Sequence, residues 1–194
     1  DTDSFHGKEV ASKQLGTTDF ANGDHTVTLL RTAKGTQIEI QHNVYTWRPY
    51  DRLFQITGVD GFACKYPIQG FSFKPENLDH SDADYQNLKG EEFVSDEIRK
   101  ALMEKYRHPI ITDIEEQDKK VGGHGGMDFI MDYRLIYCLR NGLPLDQDVY
   151  DAAEWSCLTE LSGLSIAYGS MPVEIPDFTR GEWKKVNGYR HAIK

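Results

Sequence analysis

"HTVTLLRTAKGTQIEIQHNVY", residues 25–45, is the stretch that decides the fold. Its two runs, His25–Thr32 and Thr36–Tyr45, are rich in β-branched residues and alternate in polarity, the period of a strand with one covered face. Only Ala33-Lys34-Gly35 separates them. A loop that short makes an antiparallel hairpin, and Gly35 is available for the positive φ that such a turn requires.

The same pattern continues downstream. "RLFQITG" (52–58) and "FACKYP" (62–67) are two further strand-like runs joined by Val59-Asp60-Gly61, and "IQGFSF" (68–73) adds a fifth. Short connections between consecutive strands favour antiparallel neighbours. After a polar, turn-rich stretch the period changes. "EEFVSDEIRKALMEKYRH" (91–108) sets Phe93, Ile98, Ala101, Leu102 and Tyr106 on one helical stripe, and Pro109 follows its end. A helix is also expected over Ile110 to Lys120. Met127 to Arg140 is apolar nearly all round, so it reads as a buried helix stopped by Gly142 and Pro144. The last long helix is expected from an Asp146 N-cap, with Leu145 and Tyr150 as a hydrophobic staple, to about Tyr168. The tail from Met171 reads as a surface strap anchored by Phe178 and Trp183. Before the first strand, residues 1–22 read as a loop with a short helical piece around Lys8 to Leu15.

Strands first and helices afterwards define an α+β chain: an open, mainly antiparallel mixed sheet with helices packed on one face. The whole of residues 1–194 is expected to be a single domain. Several function classes are excluded at this level. The net charge is −9 and Lys and Arg are scattered, so there is no electrostatic footprint for nucleic acid. No run approaches the length of a membrane span. Cys64, Cys138 and Cys157 have no CxxC spacing, and the seven histidines are dispersed, so no metal site is expected. No GxGxxG follows a strand, and no P-loop, GxSxG elbow or HExxH is present. The chain begins at Asp1 with no leader pattern, so any export signal would lie upstream.

Two stretches could carry chemistry. "VGGHGGMDF" (121–129) places His124 among four glycines at the start of a helix. Bare backbone there presents free N–H groups and the positive end of the helix dipole to an anion or a hydroxyl-rich ligand. Alternatively the glycines only permit a sharp turn and close packing, with Asp128 complementing the dipole. The second stretch, "YTWRPYDR" (45–52), gathers Trp47, Arg48, Tyr50 and Arg52 on a loop at a strand end. Aromatic and guanidinium clusters of this kind stack on and hydrogen-bond to sugars, whereas an aromatic at a strand end is equally often a lid on the core.

Together, "TLLRTAKGTQIEIQHNVYTWRPYDR", "GFACKYP", "VGGHGGMDFIMDYRLIYCLRNGLPLDQDVYDAAEWSCLTELS" and "VEIPDFTRGEW" resemble the C-terminal half of glycoside hydrolase family 109, NAD-dependent α-N-acetylgalactosaminidases of the Gfo/Idh/MocA superfamily. The resemblance runs from about Thr26 to Trp183. It implies a substrate-side C-terminal domain whose partner is an N-terminal Rossmann domain holding NAD, a domain not contained in this chain. It implies chemistry in which the sugar is transiently oxidised at C3, the glycosidic oxygen is eliminated, water adds and the hydride returns, a departure from the two-carboxylate scheme. It also implies a glycan with terminal α-N-acetylgalactosamine and an exported bacterial protein. The tyrosine of the family's "RPY" turn contacts the sugar, which places Tyr50, with Arg48 beside it, at the substrate, and His124 near the sugar or the nicotinamide.

The family's Tyr-Pro-Thr-His segment has no counterpart in this sequence. The isolated domain is therefore expected to hold no NAD, to contain no catalytic residue of its own and to be inactive alone. If its early strands are missing too, an exposed sheet edge favours a homodimer. Two other readings use the same residues: a Gfo/Idh/MocA sugar oxidoreductase with net dehydrogenation, and a non-catalytic carbohydrate-binding or assembly module.

Overall fold

A computed structural model describes residues 6–20, 23, 25–44, 47–74, 76, 91–109, 111 and 126–185. They fall into two compact units, Asp1–Lys105 and Tyr106–Lys194.

The first unit opens with a π-helical turn, His6–Ala11, that runs into α1 (Ser12–Leu15) and ends on Gly16 in the left-handed region. Strands β1 (His25–Arg31) and β2 (Gln37–Asn43) pair antiparallel from His25↔Asn43 to Arg31↔Gln37. The turn between them closes as its sequence requires. The Gly35 N–H donates to the Thr32 carbonyl at 2.9 Å with Gly35 at φ 90°, and the Thr36 N–H donates to Thr32 Oγ1 at 3.0 Å. Strands β3 (Gln55–Thr57), β4 (Gly61–Cys64) and β5 (Gly70–Phe73) form a second antiparallel sheet in the order β3-β4-β5. The α+β class with open antiparallel sheets stands as expected, with the five strands divided between two ladders.

The core of this unit lies where β5 meets α2 (Asp96–Lys105). Val94 and Ile98 are buried, and Phe71, Phe73 and Leu102 pack against them. Ile98 and Leu102 are one helical turn apart, the spacing that puts both on one face. The helix was predicted to start near Glu91 but begins five residues later, because the preceding segment has another partner. The Val94 N–H donates to the Phe71 carbonyl at 2.9 Å, which continues the sheet, and Ser95 Oγ then accepts from the Ile98 N–H to start the helix. Gly70 permits this approach: a Cβ there would lie 2.6 Å from the Phe93 ring.

In the second unit, α3 (Met127–Asn141) follows Gly126, which is buried and held at φ 90°. Gly142 ends the helix in the left-handed region, as its sequence predicts. Cys138 is 1% exposed, a small apolar side chain in this packing, and all three cysteines are free thiols. Helix α4 (Val149–Ala167) starts two residues later than predicted, with Asp148 as its N-cap. Asp148 Oδ1 accepts from the Tyr150 and Asp151 N–H groups, and Asp151 Oδ2 accepts from the Asp148 N–H. Asp146 is not the cap because Arg134 holds it: Nε and Nη2 donate to its two carboxylate oxygens at 2.9 and 2.7 Å. The ion pair takes the expected cap out of that role, and Asp148 fills it. The tail carries a 3₁₀ turn, Glu182–Lys185, with Phe178 and Trp183 half-buried. The helix predicted over 110–120 lies outside the described residues, Ile111 excepted.

Candidate functional site

The residues with the features of a ligand site cluster at one end of the β3-β4 hairpin in the first unit. The pairing of Gln55 with Cys64 is extended by a Lys65 N–H donating to the Phe54 carbonyl at 3.0 Å. This brings the "KYP" end of β4 beside the "RPYDR" loop. Tyr50 and Tyr66 meet edge to face, with ring centroids 5.7 Å apart. Each ring carries a cation. The Arg52 guanidinium lies 5.6 Å from the Tyr50 centroid and its Nε donates to the Tyr50 hydroxyl, while the Lys65 ammonium lies 5.7 Å from the Tyr66 centroid.

The loop is shaped by its own polar contacts. Asp51 Oδ1 accepts from the Leu53 N–H at 2.6 Å, and Leu53 takes φ 46°. Tyr50 is 69% exposed, Trp47 is fully exposed and Tyr66 is half-buried. The core-lid reading of Trp47 and Tyr50 therefore fails within the described residues. What remains is an aromatic rim with donors already oriented, an arrangement that can stack a pyranose and hydrogen-bond its hydroxyls.

Of the residues picked out from sequence, Arg48 and Tyr50 lie on this one loop. His124 and most of its glycine cluster lie outside the described residues. Gly126 is the described member, and it takes a positive φ of 90°. Tyr66 and Lys65 were missed as site residues, because they read as the end of a strand. Their proximity to Tyr50 comes from hairpin register, and only a register assignment through Cys64 could have revealed it.

An open depression of about 680 Å³ lies between the two hairpin turns, lined by residues of Lys34–Gln37 and Thr57–Val59. Among the described residues its lining holds one titratable side chain, Lys34, beside Thr36, Gln37 and Thr57. In the second unit two carboxylates are strongly engaged. Asp146, with its hydrogen bonds first and its charge after, raises the Arg134 pKa further above its ordinary value, against a smaller effect of burial. Asp177 accepts from Thr179 Oγ1 at 2.7 Å, the Thr179 and Gly181 N–H groups and the Trp183 indole. The Thr179 Oγ1 hydrogen bond foremost, with the other donors together, holds its carboxyl below the usual carboxylate range against the opposing effect of desolvation. Both are structural clasps. Among the described residues there is no group of three or more side chains that could hold a metal ion, and no helix is long and apolar enough to cross a membrane.

Known proteins place this arrangement in a family. The family model described as "Glycosyl hydrolase 109, C-terminal domain" matches residues 3–185. The chain belongs to glycosyl hydrolase family 109. Its relatives include a family 109 protein of Porphyromonas gingivalis, 58% identical over all of this chain, and family 109 protein 1 of Bacteroides thetaiotaomicron, 56% identical over the same span. Family 109 protein 5 of Phocaeicola vulgatus is 54% identical over 99% of the chain. The chain spans 42% of the length of the first two relatives and 38% of the third.

Proposed function

We propose that this family 109 domain forms the substrate face of an NAD-dependent glycosidase that releases terminal α-N-acetylgalactosamine. The observation that carries the reading is the Tyr50–Tyr66 rim. An exposed tyrosine has its hydroxyl fixed by Arg52, at the turn where the family resemblance expects the sugar. Because Arg52 donates to the Tyr50 oxygen, the phenolic proton is left to point at an acceptor on the ligand. Tyr50 then binds and orients the sugar, with Arg48 from the same loop and His124 as further contacts.

The cofactor implied by the family resemblance does not fit the described residues. Every strand pairing among them is antiparallel, and no strand–helix–strand unit with a glycine-rich turn is formed. NAD binding is proposed for the additional polypeptide that the relatives possess, as a Rossmann domain packed with this one. A homodimer through open strand edges and export from a bacterial cell belong to the same proposal.

The test is turnover of a nitrophenyl α-N-acetylgalactosaminide by the full-length protein supplied with NAD. Tyr50→Phe removes one hydrogen bond to the sugar, so KM should rise about tenfold with little change in kcat. An unchanged KM would remove Tyr50 from the site. Net accumulation of NADH with the sugar would replace hydrolysis by dehydrogenation.

A further inference from the structure

We propose that the rim selects glycans carrying an anionic substituent, a sulfate ester or carboxylate, on or next to the sugar that Tyr50 contacts. This rests on the reading of Tyr50 as a sugar contact and adds a substrate class to it.

The chain carries a net −9, yet the rim collects Arg48, Arg52 and Lys65. Among the described residues none of the three forms an ion pair. Among the described residues five other basic side chains are paired with acids, in Lys13–Glu9, Lys74–Asp60, Arg99–Asp96, Arg134–Asp146 and Lys185–Glu182, while scattered ones such as Lys34 are not; the rim differs in gathering three cations together. The acidic side chain within the rim loop is Asp51, and one of its oxygens is engaged by the Leu53 N–H. Arg52 and Lys65 instead rest on tyrosine rings, where a cation keeps its charge and its remaining donors free for a ligand.

Geometry adds the second part. The Arg52 Nε is occupied by the Tyr50 hydroxyl, which anchors the guanidinium and leaves its terminal nitrogens to bind an oxyanion. A sugar stacked at Tyr50 would thus meet a fixed cation at the point of contact. A second cation stands on the neighbouring ring 5.7 Å away. A neutral glycan would leave both charges without a counterpart, whereas an anionic one gains charge-assisted hydrogen bonds.

The experiment compares kcat/KM of the full-length protein, supplied with NAD, on three substrates. These are the neutral α-N-acetylgalactosaminide, its 6-O-sulfate, and a glycan whose neighbouring sugar bears a carboxylate. A preference of about tenfold for at least one anionic substrate is expected, shrinking as salt is raised. In the Arg52→Gln/Lys65→Gln variant the ratio of anionic to neutral turnover should fall to about one, and Arg52→Lys should restore part of it. Turnover of the neutral substrate without an anionic preference would overturn this proposal and leave the glycosidase reading intact. Turnover of none of the three by folded protein would overturn that reading itself. If the variant instead weakened NAD binding, measured by nucleotide fluorescence, with the substrate ratio unchanged, the cations would serve the cofactor's diphosphate and the proposal would fall.

Discussion

Two parts of the first unit, both built on the β3-β4-β5 sheet, use their aromatic side chains in opposite ways. At the β5-α2 corner, Phe71 and Phe73 pack against the buried Val94 and Ile98, and Phe93, about half exposed, lies against the bare backbone of Gly70. At the rim, Tyr50 and Trp47 stand in solvent and Tyr66 is only half-covered. The corner's rings have no polar atoms, and Phe71 and Phe73 pack against buried aliphatic side chains, so their contribution is to stability. The rim's two tyrosine rings carry hydroxyls and cations, and they are placed by the Arg52 hydrogen bond and by strand register instead of by burial. Stability and recognition are therefore separable within one small sheet, and substitutions should separate them.

The largest effect should come from the corner. Ile98→Ala removes buried methyl groups from a small core and should cost about 2–4 kcal/mol in urea unfolding. A loss below about 1 kcal/mol would mean that this corner is not the unit's core. Gly70→Ala should cost about 1–3 kcal/mol, because the added methyl group collides with the Phe93 ring 2.6 Å from its position. Combining Gly70→Ala with Phe93→Ala should recover part of that loss, and simple additivity would contradict the contact. Tyr50→Phe is the opposite case: its stability should stay within about 0.5 kcal/mol of the parent while KM changes.

Asp177 sharpens the comparison as an intermediate case, exposed like the rim yet bonded on all sides. Its folded-state pKa is depressed, so its stabilisation is present above the unfolded value of about 3.9 and is lost as pH falls through the lower folded value. Asp177→Asn should lower stability slightly at neutral pH, where the ionised carboxylate contributes, and flatten the acid limb, so that variant and parent converge at low pH. An unaltered acid limb would show that the Thr179 and Trp183 contacts do not distinguish the ionised carboxylate.

Local signals made the elements legible in the sequence. Gly35 between two alternating runs specified the first hairpin, Val59-Asp60-Gly61 the second, and Gly142 the end of α3. Decisions between equivalent local options were not legible. Asp146 and Asp148 are both good caps, and Arg134, twelve residues before Asp146, engages the first, so that Asp148 is the cap. Glu91–Val94 fits a helical stripe, but the Phe71 carbonyl draws Val94 into the sheet. The site followed the same rule. Tyr50 and Arg48 stood out as a local cluster carried by the family resemblance, while Tyr66 and Lys65 joined them only through strand register.

The measurement that bears most directly on this account is nitrophenol release from the α-N-acetylgalactosaminide by the full-length protein and its Tyr50→Phe variant, both supplied with NAD. The account predicts hydrolysis by the parent and an approximately tenfold higher KM in the variant at equal thermal stability. Equal kinetics in the two proteins, or no hydrolysis by folded parent protein with NAD bound, would contradict it.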